Sequence, residues 1–358
     1  MYRNTKNVPY YVFGRGSLAQ LGDLLKPRRE AVDGPVVYFV DHFFRDHELI
    51  GRLPMEKGDQ LHFVDSSSEP EVTRIDAFKE AVSAADSRTP CCVVGIGGGN
   101  ALDTAKAVAN LLTNPGKAED YQGWELVKNP AVYKIGIPTL SGTGSECSRT
   151  CVLTNIPKNL KLGMNSDYTV HDQLLLDPDL LATVPRDQYF YTGIDTFMHC
   201  VESLQGSYRN AIIDAFSVRA VQLCEEIFLS DDMMSEENRE KMMIASYIGG
   251  MAAGNVGVIH PFSAGLGVVL HVAHGLGNCL ALNVLGDIYP KEYKQFRTMI
   301  ERQGVNLPTG ICKDLTEEQY EGLYRGCIVH EKPLTNALGP DFKQILTREN
   351  LIERYKSI

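Results

Sequence analysis

A chain of 358 residues with 44% apolar side chains is long enough for two compact domains with buried cores, which excludes disordered and collagen-like polymers. Its 35 Lys and Arg against 45 Asp and Glu leave a formal charge of −10 with histidine neutral. That excludes a general phosphate-backbone binder and predicts no nucleic-acid partner, although a local site can oppose the net charge and accept a small anion.

The cysteine count is 9, an odd number, with no Cys-x-x-Cys pair. Reduced thiols in a cytoplasmic protein are expected, not a disulfide framework. The opening MYRNTKNVPYYVFGRGSL has no apolar leader region and reads as mature protein. No uninterrupted apolar run reaches the ~18 residues of a membrane span, so no membrane partner is expected.

In chain order, VVYFVD (36–41) and LHFVD (61–65) are short strand candidates, and 66–85 reads as a loop followed by an amphipathic helix. CCVVGIG (91–97) is a buried-strand candidate, NALDTAKAVANLL (100–112) a helix, and YKIGIPT (133–139) another strand. Strands alternating with helices predict a parallel sheet covered by helices, an α/β Rossmann-like domain. Beyond LLLDPDLLATVP (174–185) the pattern becomes helical, with windows at 186–206, 210–229 and 237–254, and Pro185 is placed at the first helical position. Two domains are expected, 1–182 and 183–358, the second all-α.

VVGIGGGNALDTAK is a strand, a glycine run and a helix start. Gly97, Gly98 and Gly99 let the backbone turn sharply and bring N–H groups close to an anion, with the positive end of the next helix at the same point. A pyrophosphate fits this chemistry; an ordinary tight strand-to-helix turn fits it too, since GIGGGN is not GxGxxG. IPTLSGTGSE (137–146) adds a second glycine and hydroxyl loop after a strand, with Thr139 and Ser141 among its hydroxyls. Loops at the carboxyl edge of a parallel sheet are where ligands bind in open α/β folds. Asp41, at the end of VVYFVD, is set to accept from a ribose 2′-hydroxyl, which favours NAD over NADP; capping a turn is its alternative role.

Asp195 and His199 are four residues apart, so on a helix both reach one point. His260 and His274 come later in the chain, each near glycines. One carboxylate and three imidazoles suit Fe(II) or Zn(II). None of the cysteines occupies a proposed ligand position.

GGGNALDTAK (97–106), PTLSGTGSE (138–146), LLLDP (174–178), Asp-x-x-x-His at 195–199 and the His260/His274 pair together resemble the iron-dependent (group III) alcohol dehydrogenase family. The resemblance implies a dehydroquinate synthase-like fold, with a nucleotide-binding α/β domain and a helical metal-binding domain. It implies that Asp195, His199, His260 and His274 hold Fe2+ or Zn2+. It places Gly97, Gly98, Gly99, Asp103, Thr139 and Ser141 at an NAD(P) cofactor, with Lys161 near the nucleotide. It also implies an oxidoreductase acting on a small-molecule sugar-acid or alcohol substrate, and the apolar helical windows of the second half leave room for a homodimer interface.

Two departures bear on mechanism. The position four after His260, where many family members carry a histidine, is Ala264, so a proton relay there does not carry over. His271, three before His274, matches another family histidine and is the candidate for proton handling or for supporting the site. The chain ends at Ile358, and a wider cleft than in members acting on small alcohols is expected. Arg149 and Lys161 are candidates to offset a substrate carboxylate, with a surface salt bridge as the plainer role. The competing readings are a polyol dehydrogenase, a dehydroquinate synthase-like lyase, for which no basic phosphate cluster is visible, and a catalytically silent nucleotide-binding scaffold.

Overall fold

The computed structural model describes residues 6–158 and 160–358. Its internal contacts divide the chain into two compact units. The first holds the chain up to Leu140 together with Ser145–Lys158 and Leu162–Thr183; the second holds Ser141–Gly144, Leu160 with Lys161, and Val184–Ile358.

The first unit runs β1 (Tyr10–Phe13), α1 (Leu21–Ala31), β2 (Val36–Asp41), α2 (Glu48–Gly51), β3 (Gln60–Val64), α3 (Val72–Ala85), β4 (Cys92–Gly97) and α4 (Gly99–Leu111). It continues with β5 (Gly123–Trp124), β6 (Lys134–Pro138), β7 (Thr150–Asn155), β8 (Leu160–Asn165), whose first two residues group with the second unit, and β9 (Gln173–Leu176). Six strands form one sheet in the order β1-β9-β6-β4-β2-β3, with every pair parallel. β5, β8 and β7 form a small second sheet.

The apolar runs of β2 and β4 lack polar alternation because the sheet is covered on both faces. Val36, Tyr38 and Val40 of β2 join Val94 and Ile96 of β4 and Leu21 and Leu25 of α1 in one cluster. Val37 and Phe39 point the other way and pack with Val93, with Ile75 of α3 and with Ala105 and Val108 of α4. Burying each such aliphatic side chain is worth about 1.5–3 kcal/mol.

The chain winds outward from β2 to β3, then returns to build β4, β6 and β9 on the other side of β2. The direction of winding therefore reverses between β2 and β4, where a parallel sheet opens a crevice at its carboxyl edge. Asp41 and Gly97, the last residues of those two strands, stand at that point.

The glycine turn comes after the fourth strand, not the third, because β1 precedes the others. Tyr10, Tyr11 and Phe13 of β1 are exposed and, among the described residues, β1 pairs only with β9, so this edge strand carries no alternation to betray it.

The second unit is helical: α5 (Arg186–Gln205), α6 (Ala211–Phe228), α7 (Glu236–Gly249), α8 (Ile259–Leu270), α9 (His274–Val284), α10 (Pro290–Gln303), α11 (Glu317–Ile328), α12 (Glu331–Leu338), α13 (Phe342–Ile345) and α14 (Arg348–Lys356). Pro185 sits one residue earlier than expected, at the N-cap of α5, where its extended backbone (ψ 137°) feeds the first turn. From Tyr189 to Ser203 α5 is buried on nearly every side, as a central helix must be. The N-terminal half of α8 is equally buried. Tyr355 of α14 stacks on Phe262 of α8 with ring centroids 3.9 Å apart and donates its hydroxyl to the Phe262 carbonyl. Among the described residues no single helix is long and apolar enough to cross a membrane. All nine cysteines are buried, and none of them forms a disulfide.

Candidate metal centre

Asp195 and His199 lie one turn apart on α5, His260 is the second residue of α8, and His274 is the first residue of α9. Three separate helices thus bring four donors together, and one ligand atom from each lies within 4.8 Å of every other. Asp195 Oδ1 is 3.2 Å from His260 Nε2 and 3.8 Å from His199 Nε2, while Oδ2 is 3.5 Å from His274 Nε2. The rings of His199 and His260 stack at 4.5 Å, and His274 lies 5.5 Å from His260.

The electrostatics fit a cation. Burial of Asp195 alone would raise its pKa, but His199, His274 and His260 outweigh it and hold the carboxyl well below the usual range. Burial pushes His199 down to about 3, so its imidazole is neutral and has a lone pair to offer. Burial also opposes a charge on His260, yet Glu202 and Asp195 overcome it and push this imidazole up to about 9. Carboxylates that make an imidazole basic toward a proton also make it a stronger donor toward a metal. Asp195 Oδ2 and His199 Nδ1 are buried without a hydrogen-bond partner. Such orphaned groups are costly in a protein interior, and an ion coordinated by the Asp195 carboxylate removes that residue's share of the cost.

Four polar residues around this cluster were not among those singled out from sequence. Glu202, one turn beyond His199, meets His260 Nδ1 at 2.5 Å. Tyr289 donates to Glu202 at 3.0 Å. Asn278, one turn after His274, donates to Asp195 Oδ1 at 2.7 Å. His330 precedes α12, and burial together with the charges of Lys161 and His260 pushes it down to about 4. Glu202 and Asn278 do carry a local signal, since each continues the helical face of a proposed ligand at a spacing of three or four. Tyr289 and His330 carry none, because only the tertiary fold brings them there.

His271 is exposed and caps α8 in the left-handed region, at φ 55°. A non-glycine residue in that region stores about 1–2 kcal/mol of strain.

In the first unit, Asp41, the Gly97–Gly99 turn and Thr139 share the carboxyl edge of β2, β4 and β6. Val40 pairs with Ile96, and Gly97 with Pro138. Gly97 has φ 151°, and a Cβ there would lie 2.6 Å from the Ala101 Cβ and 2.9 Å from the Asp41 Cβ. Gly98 is the N-cap of α4; no side chain caps it, and the first turn holds no acid. The first amide groups of α4 are thus left without local competition for an anion. The Thr139 amide donates to the Gly97 carbonyl at 3.0 Å. The Asp41 carboxylate accepts from the Phe43 amide at 3.0 Å and from Ser66 Oγ at 2.9 Å.

Asp103, one turn into α4, meets Ser145 Oγ at 2.5 Å, the Val152 amide at 2.9 Å and Lys106 Nζ at 3.1 Å. Its contacts brace the hydroxyl loop against the helix. Ser141 and Lys161 group with the helical unit. The loop Ser141–Gly144 is held there by the Gly142 amide donating to Ser246 and by Thr196, the neighbour of Asp195, donating to the Gly142 carbonyl. Ser141 Oγ is buried without a partner, and Lys161 is buried. Arg149 is committed to Asp167 and Glu125, the salt-bridge role weighed against substrate binding.

Residues 9–178 match the model of the family described as iron-containing alcohol dehydrogenase, and residues 189–322 match that of the Fe-containing alcohol dehydrogenase family, C-terminal. The chain is 34% identical over 220 residues to sulfoacetaldehyde reductase of Bilophila wadsworthia, a match spanning 60% of this chain and 56% of that protein. It is 29% identical over 278 residues to NAD-dependent methanol dehydrogenase of Bacillus methanolicus, covering 75% of this chain and 71% of that one. The crystal structure of sulfoacetaldehyde reductase from Bifidobacterium kashiwanohense in complex with NAD+ shares the fold, with a TM-score of 0.78 at 24% identity over 99% of this chain and 98% of that one. With both family models matched in chain order over most of its length, the chain belongs to the iron-containing alcohol dehydrogenase family, whose members are oxidoreductases acting on alcohols.

Proposed function

We propose that this protein interconverts a primary alcohol and an aldehyde on a small anionic substrate, using a divalent metal and NAD(P). The observation that carries the reading is the set of one carboxylate and three imidazoles with ligand atoms within 4.8 Å of one another. Asp195, His199, His260 and His274 are the residues that would hold Fe2+ or Zn2+. Bound there, the ion supplies Lewis-acid polarisation of a substrate oxygen, and NAD(P) supplies the two-electron hydride chemistry. The glycine turn Gly97–Gly99 at the start of α4 would cradle the cofactor diphosphate, and Asp41 would accept from its ribose. Asp103 would keep the Ser145 side of the hydroxyl loop in place, Thr139 and Ser141 would offer hydroxyls, and Lys161 would add a cation. Oxidation of the alcohol releases one proton in addition to the hydride, and His271 is the residue proposed to take it.

The finer substrate reading is the terminal alcohol at C8 of 3-deoxy-D-manno-octulosonate, a sugar acid of bacterial lipopolysaccharide. It is supported by the resemblance of the stretch GMNSDYTVHDQLLLDPDLL and the helix containing Asp195 to 3-deoxy-D-manno-octulosonate 8-oxidase. The sulfoacetaldehyde reductase similarity supports the wider class, an anionic aldehyde or alcohol. Steady-state assays after Fe2+ or Zn2+ loading, with the octulosonate, sulfoacetaldehyde and simple primary alcohols, with NAD or NADP, test it. Turnover favouring the octulosonate and NAD is expected. Turnover only of uncharged alcohols would remove the anionic reading, and metal and nucleotide binding without turnover of anything would leave a silent scaffold.

His271→Gly is expected to hold or raise Tm, since glycine adopts φ 55° without strain, while lowering kcat by about 10²-fold if His271 handles the proton. An unchanged kcat in a folded His271→Gly protein assigns His271 to capping alone.

A further inference from the structure

We infer that Glu202, backed by Tyr289, is the positioning residue that aims His260 at the cation. The inference rests on the reading of Asp195, His199, His260 and His274 as metal ligands. Asp195, His199 and Glu202 fall at i, i+4 and i+7 on α5, so one helical face presents two candidate ligands and this carboxylate.

Glu202 is 1% exposed, and a carboxylate that deep persists only where donors surround it. It has three. Oε1 accepts from the Ile259 amide at 2.6 Å and from Tyr289 Oη at 3.0 Å, and Oε2 meets His260 Nδ1 at 2.5 Å. Tyr289 Oη in turn accepts from the Val258 amide at 3.0 Å. Val258 and Ile259 open α8, so the carboxylate also lies at the positive end of that helix. Space for it comes from Gly257, where a Cβ would stand 2.5 Å from Tyr289 Oη and 3.0 Å from Glu202 Oε1.

The chemical consequence concerns His260. An ionised carboxylate only accepts, so Nδ1 must carry the proton in that contact, which leaves the Nε2 lone pair on the side of Asp195. Such an outer partner fixes ring orientation and strengthens the donor. Asp195 thus stands among the proposed ligands and Glu202 behind one of them, on the far side of the His260 ring.

The test is Zn2+ titration of the chelator-stripped, full-length protein against a chromophoric competitor, with Glu202→Gln and Tyr289→Phe, and far-UV circular dichroism as the check of folding. Glu202→Gln keeps the shape and removes the charge, and it is expected to weaken Zn2+ binding about 10–100-fold. Saturating metal is expected to restore much of its kcat with substrate KM unchanged, a rescue that a general packing defect would not show. Tyr289→Phe is expected to weaken Zn2+ about 3–10-fold, the loss of one hydrogen bond to a charged group. If Glu202→Gln does not fold, Tyr289→Phe decides: wild-type Zn2+ affinity in it overturns the inference, as does wild-type affinity in folded Glu202→Gln. Failure of the wild-type protein to bind Zn2+ would instead overturn the ligand reading itself, so the two failures are distinct.

Discussion

Asp195→Asn is expected to abolish divalent metal binding and to lower turnover by about 10³-fold or more, with the helical content of the protein retained. The reason is the position of this carboxylate at the hub of the cluster. Its Oδ1 is 3.2 Å from His260 Nε2 and its Oδ2 is 3.5 Å from His274 Nε2, and it is the one anion among the four proposed ligands. An amide of the same shape still fills the space inside α5, so the packing of Ile194 and Phe197 beside it survives. The charge that gathers a cation does not survive, and the site is left with imidazoles alone. Metal analysis of the purified variant beside a NADH absorbance assay measures both effects. Wild-type turnover in metal-free Asp195→Asn protein would overturn the metal reading.

Gly97→Ala is expected to cost about 2–4 kcal/mol of stability and to remove measurable nucleotide binding. Two independent strains add. At φ 151° an L residue is held in a backbone region that essentially only glycine occupies. The new methyl would also lie 2.6 Å from the Ala101 Cβ and 2.9 Å from the Asp41 Cβ, so neither α4 nor the end of β2 can stay in place. Displacing α4 turns its free N-terminal amides away from the turn they are proposed to serve. Denaturant unfolding and NADH fluorescence titration give the two readings. A Gly97→Ala protein with unchanged stability and unchanged NADH affinity would show that the turn is not a tight cradle for the cofactor.

The parts of this protein that were legible in sequence are those governed by local periodicity. VVYFVD read as a strand and CCVVGIG as a buried one because both faces of the sheet are covered, and continuous apolar runs announce that burial. The spacing of Asp195 and His199 read as one helical face because the helix is regular. β1 escaped because it is an exposed edge, and the two residues of β5 become a strand only by pairing with β8. Register with a distant strand is a property of the folded chain, not of a two-residue window.

The same division holds within the site. Sequence by itself determined the alternation that builds the α/β unit, the helical character of the second half, the glycine turn, and four residues of the right chemistry for one metal. Tertiary structure alone decided how the polar groups are partnered: Glu202 with a tyrosine 87 residues away, Asp103 with Ser145, Arg149 with Asp167 and Glu125. It also decided that Ser141–Gly144 belongs with the helices. The physical reason is that apolar burial is additive along a chain and leaves a periodic trace, whereas a buried polar group is tolerated only by a specific partner, which chain folding delivers from any distance in sequence.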